Sequence, residues 1–474
     1  MTDAPVSLVI HGHFYQPPRE DPWTGEVPVE ESAAPFHDWN ERITDECYRP
    51  NVFGPVNTFE LLSFNVGPTL LSWLESHHPD VYDGIRAADR ATGRAIAQGY
   101  GHAILPLCNE RDLRTHVRWG VADFEHRFGR RPEGMWLPET AVNEAVLEVL
   151  AEEGLRFTIL APHQIAEIRP RGSEHAWTEA GLAERTPTDR PLRWRHTGHD
   201  HLELDLVVYD GSMAHSLAFG APTAGAIVDA AVGQAGEGGG LVCAATDGET
   251  FGHHHRGAER EVGEALTGEA QRRGVQVPRL VDLLDERPAT HEARVRVSAW
   301  SCSHGVDRWW SHCGCRTGGE QGWDQTWREP LRNALDLLRE WGVEVVDRRG
   351  PAVLHDAWAA RDAYVDVLIG RRSYDDFADE HVLGDPHHAR LLLEAQRHAL
   401  LMYTSCGWFF NDLGGLETVQ ILRYAARAMD LYAELGESPP LDALLDVLAR
   451  ARSNDPDLGD GRQIWKTRVI RTRQ

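Results

Sequence analysis

The sequence is poor in positive charge. Its 474 residues carry 48 basic side chains, among which Lys466 is the single lysine, against 73 acidic ones, for a net charge of −25. A surface of that sign repels phosphate backbones, which excludes binding of nucleic acid through a basic face. We therefore expect no nucleic-acid partner.

Long apolar runs are also missing. No stretch approaches the roughly 18 consecutive apolar residues of a membrane span, and the N-terminus lacks the basic and then apolar pattern of a signal peptide. We therefore expect a soluble, cytoplasmic protein with no membrane partner. The oligomeric state stays open.

Cysteine is scarce, with seven residues, and this odd number excludes a dense framework of paired disulfides. Several metal-ligating residues nevertheless lie near one another in the sequence: Cys302, His304, His312, Cys313 and Cys315. Their C-x-H and C-x-C spacing lacks the C-x₂₋₄-C pairs of common zinc sites. Zinc stays an alternative, but we predict free buried thiols, no metal and no cofactor.

The first part of the chain alternates short apolar segments with helical ones. Strands are predicted at Val6–Ile10, Ala103–Leu105, Gly134–Leu137, Phe157–Leu160, Leu204–Tyr209 and Leu241–Ala245, with helices such as Thr115–Phe128 and Asn143–Glu153 between them. Alternation of this kind predicts an α/β domain with a parallel sheet. After about residue 290 the segments are long and helically periodic, which predicts a helical C-terminal region.

Unusual polar residues lie at the ends of four of these apolar segments. They lie in His11–Pro17, Gly101–Pro106, Trp136–Glu139 and Asp247–Gly252. On a parallel barrel the carboxyl ends of the strands share one rim, so these segments are expected to converge on one site. Glu139 and Asp247 would then supply the two carboxyl groups that cleavage of a glycosidic bond requires.

Each residue also has an ordinary structural explanation. Asp247-Gly248 is a common turn dipeptide, and Glu139 is well placed to begin a helix. His11 and His13, two apart on an extended chain, point to one side and suit a hydrogen-bonded core, a metal site or a sugar site alike. The motifs taken singly leave these alternatives open.

Taken in order, the four motifs resemble those of glycoside hydrolase family 57. The resemblance implies an incomplete (β/α)₇ barrel over residues 1–290, and a helical domain over residues 291–474 that closes the active-site cleft. It also implies retaining chemistry on α-glucosidic bonds, with Glu139 as nucleophile and Asp247 as general acid/base. We expect substrate contacts from the following residues of the motifs and the C-terminal half: His11, His13, Gln16, His102, Trp136, Glu249, His253, His304, Trp408 and Asp412.

The segments Ser298–Trp309, Cys313–Cys315 and Thr404–Asp412 resemble a branch of that family related to α-amylases and α-mannosidases. The predicted function is a retaining hydrolase or transglycosylase for α-glucans, of the amylase, glucanotransferase or branching type, with an oligo- or polysaccharide substrate. One alternative is a zinc-dependent carbohydrate hydrolase, either α-mannosidase-like or a deacetylase, with His11, His13 and Asp247 as ligands. Another is a glycan-binding protein without catalytic activity.

Overall fold

A computed structural model describes residues 5–173, 175–180, 186–199, 201–235 and 239–470. The chain divides into two compact units. The first comprises Met1–Gln16, Val29–Gly99 and Phe124–Trp300, and the second comprises Pro17–Pro28, Tyr100–Asp123 and Ser301–Gln474. The first unit therefore continues past residue 290, and two earlier segments of the chain belong to the second unit.

The strands of the described residues all lie in the first unit. In chain order they are β1 (Val6–Phe14), β2 (Ser63–Val66), β3 (Ala97–Gln98), β4 (Met135–Trp136), β5 (Phe157–Leu160), β6 (Ile165–Pro170), β7 (Thr178–Glu179), β8 (Leu192–Arg195), β9 (Glu203–Val208), β10 (Gly240–Asp247) and β11 (His291–Val295).

Parallel pairing links seven of these strands. β1 pairs with β10 on one side and β2 on the other, β3 pairs with β4, and β5 pairs with β9. Isolated parallel bridges join Phe64 to Ala95 and Gly134 to Phe157, so the pairing continues from β2 towards β3 and from β4 to β5. Strands β8, β11, β6 and β7 extend the sheet beyond β9, mostly with antiparallel pairing. This arrangement confirms the predicted α/β class.

Several predicted strands differ in their bounds from the observed ones. β1 runs to Phe14, so His11 and His13 lie within the strand and not in a loop beyond it. The prediction of a strand at Ala103–Leu105 is wrong, because Leu105–Leu107 forms a 3₁₀ turn and Ala103 makes only an isolated bridge to Thr404. Pro106 lacks the N–H that a central strand needs.

Helices cover the parallel strands and fill the second unit. Up to residue 286 they are α1 (Trp39–Ile43), α2 (Arg49–Phe53), α3 (Pro68–His77), α4 (Pro79–Thr92), α5 (Glu110–Phe128), α6 (Glu144–Glu152), α7 (Gly211–Gly220), α8 (Ala224–Ala235), α9 (Ala258–Glu264), α10 (Ala270–Arg272) and α11 (Leu280–Glu286). From residue 328 they are α12 (Arg328–Val353), α13 (Ala357–Ala363), α14 (Val365–Leu368), α15 (Tyr374–His381), α16 (Pro386–Leu401), α17 (Cys406–Phe409), α18 (Leu416–Glu434), α19 (Leu441–Leu448) and α20 (Gly461–Ile464). Among the described residues, no helix has both the length and the apolar character needed to cross a membrane.

Each unit has a core of its own. In the first, apolar side chains of the parallel strands, such as Val9, Ile159 and Val207, pack with Leu283 of α11. In the second, α12, α16 and α18 pack around Leu392, Tyr432 and Trp119. Burial of the apolar faces of these elements accounts for both units, since each side chain removed from water contributes about 1.5 to 3 kcal/mol.

Candidate active site

The C-terminal half of β1 carries two buried histidines that face β2. In the parallel register His11 lies opposite Ser63 and His13 lies opposite Asn65. Burial lowers the pKa of His11 to about 3 and that of His13 to about 3, so both rings are neutral at ordinary pH. The two side chains therefore act through hydrogen bonds and not through charge.

The hydrogen bonds define how these rings are protonated. Oδ1 of Asn65 accepts from Nε2 of His11 at 3.0 Å, and Nδ1 of His11 accepts from the Ser63 hydroxyl at 2.9 Å. The Asn65 amide donates to Nδ1 of His13 at 2.9 Å and to Oε1 of Gln98 at 2.7 Å. His11 therefore has no nitrogen available for a metal, whereas the proton of His13 lies on Nε2.

Trp136 supports both rings from β4. Its indole stacks on His11 with a centroid distance of 4.8 Å and on His13 at 5.0 Å. The side chain is fully buried. Its position indicates that it holds the imidazoles in place, and contact with a substrate stays a prediction.

Glu139 lies on a strained turn directly after β4. The 3₁₀ turn Pro138–Thr140 has φ of 57° at Glu139 and 49° at Thr140, in the left-handed region that β-branched residues avoid. The backbone N–H of Trp300 donates to the Glu139 carbonyl at 3.0 Å, and Gln164 donates to the Thr140 carbonyl at 2.7 Å. Strain held in this way is characteristic of functional sites.

The carboxylate of Glu139 also contacts Trp300. The indole Nε1 of Trp300 donates to Oε2 of Glu139 at 3.0 Å, and both side chains are half-buried. The Trp300 ring in turn packs edge-on against Trp136, with centroids 5.1 Å apart. A donor at this oxygen favours the ionised carboxylate and fixes its orientation.

Asp247 ends β10, opposite His13 in the parallel register. Its side chain reaches solvent, yet protein surrounds it closely enough that loss of hydration raises its pKa well above the usual range. The negative charges of Glu249 and Glu139 raise the pKa of Asp247 further. A carboxyl of this kind stays protonated at higher pH, as a general acid requires.

Glu249 follows Asp247 in the 3₁₀ turn Gly248–Thr250 and is buried. Its Oε1 accepts from the Tyr48 hydroxyl at 2.6 Å and from the Tyr15 backbone N–H at 3.0 Å. Burial raises the pKa of Glu249 to about 7, although these two hydrogen bonds act in the opposite direction. Oε1 is thus engaged by the protein itself, and a substrate contact for this residue stays a prediction.

Two other residues of the first unit that are predicted to contact the substrate, Gln16 and His253, have half-buried side chains. Nδ1 of His253 lies 2.5 Å from Oε2 of Glu46, and the Gln16 amide donates to the Tyr15 carbonyl at 2.9 Å. Neither interaction shows what a ligand would touch. A substrate role for Gln16 and His253 stays a prediction.

The remaining predicted contacts lie in the second unit. Trp408 is fully buried, stacks on Tyr403 and donates to the Arg328 carbonyl at 3.3 Å, so these contacts are packing contacts, and its stacking on a sugar stays a prediction. Nδ1 of the buried His102 lies 2.7 Å from the Ser405 hydroxyl. Its substrate contact, like that of the exposed His304, stays a prediction.

Asp412 has a structural role in the same unit. Its carboxylate accepts from the Ser453 hydroxyl at 2.9 Å and from the backbone N–H groups of Gly414 and Asn454, each at 2.6 Å. These bonds close the turn after α17 and use both carboxylate oxygens. They therefore offer an alternative to the predicted contact with a sugar.

Sequence reasoning missed several residues that shape the site: Ser63, Asn65, Gln98, Tyr48 and Trp300. Ser63 and Asn65 are two apart in a short segment, and that spacing on a strand is the signal that could have paired them with His11 and His13. Trp300 lies in the segment Ser298–Trp309, which carries the family resemblance, but the sequence predicts no role for it. Within the described part of the chain, the group of three or more side chains close enough to share a metal ion is Cys302, His304, Cys313 and Cys315, which does not include His11, His13 or Asp247.

The chain resembles known protein families and known proteins over parts of its length. The model of glycosyl hydrolase family 57 matches residues 6–290, and that of a domain of unknown function, DUF3536, matches residues 323–474. The chain is 26% identical over 123 residues to alpha-amylase 1 of Dictyoglomus thermophilum, covering 25% of this chain and 18% of that protein. It is 22% identical over 195 residues to the 4-alpha-glucanotransferase of Thermococcus litoralis, covering 40% and 27%. The aligned part is less than a third of either relative.

Solved structures show a similar fold. An exo-type maltose-forming amylase from Pyrococcus sp. ST04 has a TM-score of 0.74 at 15% identity, covering 94% of this chain and 82% of the other. A branching enzyme from Thermococcus kodakaraensis has a TM-score of 0.57 at 18% identity, covering 95% of both chains. At such identities the likeness concerns the fold alone.

Proposed function

Since this chain belongs to glycosyl hydrolase family 57, we propose that it is a retaining glycoside hydrolase or transglycosylase that acts on α-glucans. The observation that supports the proposal most is the electrostatic interaction between the carboxyl groups of Glu139 and Asp247. The charge of Glu139 contributes to the raised pKa of Asp247, while an indole N–H contacts the Glu139 carboxylate. One carboxylate is thus placed to attack and the other carboxyl to hold a proton.

The reaction proceeds in two displacements. A carboxylate oxygen of Glu139 attacks the anomeric carbon and forms an ester bond, while the glycosidic bond breaks. Its electron pair goes to the leaving oxygen, which takes the proton of Asp247. Asp247 then removes a proton from water or from a sugar hydroxyl, whose oxygen attacks the anomeric carbon and breaks the ester. Configuration is retained, which requires the two carboxyl groups to be about 5 to 5.5 Å apart.

The names of the relatives suggest which molecule accepts the sugar in the second displacement. Their names include an amylase, for which the acceptor is water, and a glucanotransferase and a branching enzyme, for which it is another glucan.

Because β1, β2, β3, β4, β5, β9 and β10 are connected by parallel pairing, we also propose that they build an incomplete (β/α)₇ barrel. The division into a catalytic domain of residues 1–290 and a helical region of residues 291–474 that closes the cleft stays a proposal, as does a cytoplasmic location.

Proton NMR of the first products tests this function. The full-length protein is incubated with maltooligosaccharides, and with manno-oligosaccharides as a control, and the anomeric signals are followed before mutarotation. Initial release of the α-anomer from α-glucans is expected, together with longer products if transfer occurs. Initial release of the β-anomer would refute the retaining mechanism. Turnover of the manno-oligosaccharides alone would refute the substrate class, and binding without turnover would favour a non-catalytic glycan-binding protein.

A further inference from the structure

Four metal-ligating side chains meet in the second unit, within the segment that precedes α12. The ligand atoms of Cys302, His304, Cys313 and Cys315 all lie within 4.8 Å of one another, and the three cysteines are free. We propose that they form a structural zinc site, with three thiolates and Nδ1 of His304 as ligands. This role replaces the free thiols that the residue spacing predicts, and it replaces the predicted sugar contact of His304.

Two ligand–ligand distances are close to those around a single tetrahedral ion. Sγ of Cys302 lies 4.0 Å from Sγ of Cys313, and Sγ of Cys315 lies 3.5 Å from Nδ1 of His304. Zinc bonds to sulfur at about 2.3 Å and to nitrogen at about 2.0 to 2.1 Å, so a tetrahedron has sulfur–sulfur edges of about 3.8 Å and sulfur–nitrogen edges of about 3.6 Å. A disulfide needs about 2.05 Å. A [4Fe–4S] cluster would spread its ligands further, because each ligand would bond a different iron.

The backbone explains how a single-residue spacing forms such a site. Cys302 and His304 are two apart, as are Cys313 and Cys315, and the chain turns from Ser303 to Val306 within the first pair's segment. Gly314 has φ of 84°, a left-handed conformation that bends the chain between the two thiols of the second pair. His304 is exposed and Cys302 is buried, so the site has an open side by which an ion can enter.

The surrounding charge favours an anionic centre. Three thiolates, a neutral imidazole and Zn²⁺ carry a single net negative charge. Arg328 is fully buried and donates through Nη1 to the Cys315 carbonyl at 2.9 Å, but its Nε and Nη2 have no hydrogen-bond partner among the described residues. A buried guanidinium is costly without a counter-charge, and a zinc–thiolate centre supplies one.

The site would stabilise a segment that contains little regular structure. Between Ser301 and Trp327 the described chain forms a single short 3₁₀ turn, Asp307–Trp309, so few backbone hydrogen bonds hold it. A metal with four ligands on that segment compensates for the missing secondary structure, as in other zinc-bound loops. The proposal stands on the ligand geometry and does not depend on the glucan chemistry.

Metal analysis of the full-length protein, purified after growth with added zinc, tests the site. We expect one zinc ion per chain by mass spectrometry, and an X-ray absorption spectrum of three sulfur ligands and one nitrogen ligand. Cys313→Ser and His304→Ala should lose the zinc. Cys108→Ser, which removes a half-buried thiol outside the cluster, should keep it. Chelation of the wild type should lower its Tm and expose three additional thiols to titration.

Measurements on the wild type keep the test decisive if a variant fails to fold. Cobalt in place of zinc should give thiolate-to-metal charge-transfer bands and tetrahedral d–d bands. Substoichiometric zinc after reconstitution, iron at the chain concentration, or a zinc shell of oxygen and nitrogen alone would each overturn the proposal. Full zinc retention by folded Cys313→Ser and His304→Ala would overturn it as well.

Discussion

Replacing Glu249 by glutamine should change how stability depends on pH. The folded carboxyl has a pKa of about 7 against an ordinary 4.5, with burial as the main cause. Between those values the folded state binds a proton that the unfolded state releases, so the stability contributed by this group falls as pH rises through the window. Below pH 4.5 this loss of stability is absent, and above pH 7 it is fully present.

The size of this effect follows from the pKa shift. A rise from 4.5 to about 7 corresponds to about 3 kcal/mol, because each pKa unit is worth about 1.4 kcal/mol. The glutamine side chain in Glu249→Gln cannot ionise, and its Oε1 can still accept from Tyr48 and Tyr15, since both donate to the same oxygen of Glu249. Any cost of the new amide N–H groups is independent of pH. The stability of Glu249→Gln relative to wild type should therefore rise by about 2 to 3 kcal/mol from pH 5 to pH 8.

Urea unfolding of both proteins at pH 5 and pH 8, followed by tryptophan fluorescence, measures this difference. Glu286→Gln is the matched control, because Glu286 is exposed, and its effect should be the same at both pH values. An unchanged difference between Glu249→Gln and wild type across this range would show that the carboxyl does not hold a proton in the folded state. The reasoning from burial would then be refuted.

Kinetic measurements on four variants test the catalytic assignment. In Glu249→Gln the alkaline limb of the kcat/KM profile should move to lower pH, because a charge that raises the pKa of Asp247 is removed. An unmoved limb would show that the ionisation of Asp247 does not cause the loss of activity at alkaline pH. Glu139→Ala should abolish turnover, with azide partly restoring it as a glycosyl azide of inverted configuration, and a normal rate would remove the nucleophile assignment. Asp247→Ala should slow substrates with poor leaving groups far more than activated ones, and equal losses would exclude it as proton donor. Trp300→Phe should lower kcat about 10- to 100-fold, because it removes one hydrogen bond to a charged group and such a bond contributes a rate factor of about that size. An unchanged kcat would show that the hydrogen bond to Glu139 does not contribute to catalysis.

The regular elements were largely predictable because their periodicity is local. Phe157–Leu160 is a strand with the predicted bounds, and the helix predicted at Asn143–Glu153 runs from Glu144 to Glu152. Strands as short as Ala97–Gln98 carry no periodic signal, since two residues cannot show an alternation. Tertiary contacts alone define such elements, as they define the bridge from Gly134 to Phe157.

Sequence motifs point to Glu139 and Asp247 as the candidate carboxyl groups, and their catalytic roles stay predictions. The partners that determine their chemistry come from distant segments. Tyr48 and Glu249 are 201 residues apart, and Trp300 and Glu139 are 161 apart, so no local pattern joins them. Burial is likewise invisible in the sequence, although it is the main cause of the raised pKa of Asp247 and of the neutral state of His11.

The turn at Glu139, the proposed nucleophile, depends on support from elsewhere in the chain. Two adjacent residues at positive φ, one of them the β-branched Thr140, cost about 1 to 3 kcal/mol each, so the local sequence would not adopt this turn unaided. The Trp300 N–H and the Gln164 amide hold the two carbonyls, and Val142 bridges to Ser298 just beyond the turn. Trp300 contacts both the backbone and the carboxylate of Glu139. The orientation of the Glu139 carboxylate is thus set before any substrate arrives, because the strain is offset by contacts that also hold the carboxylate.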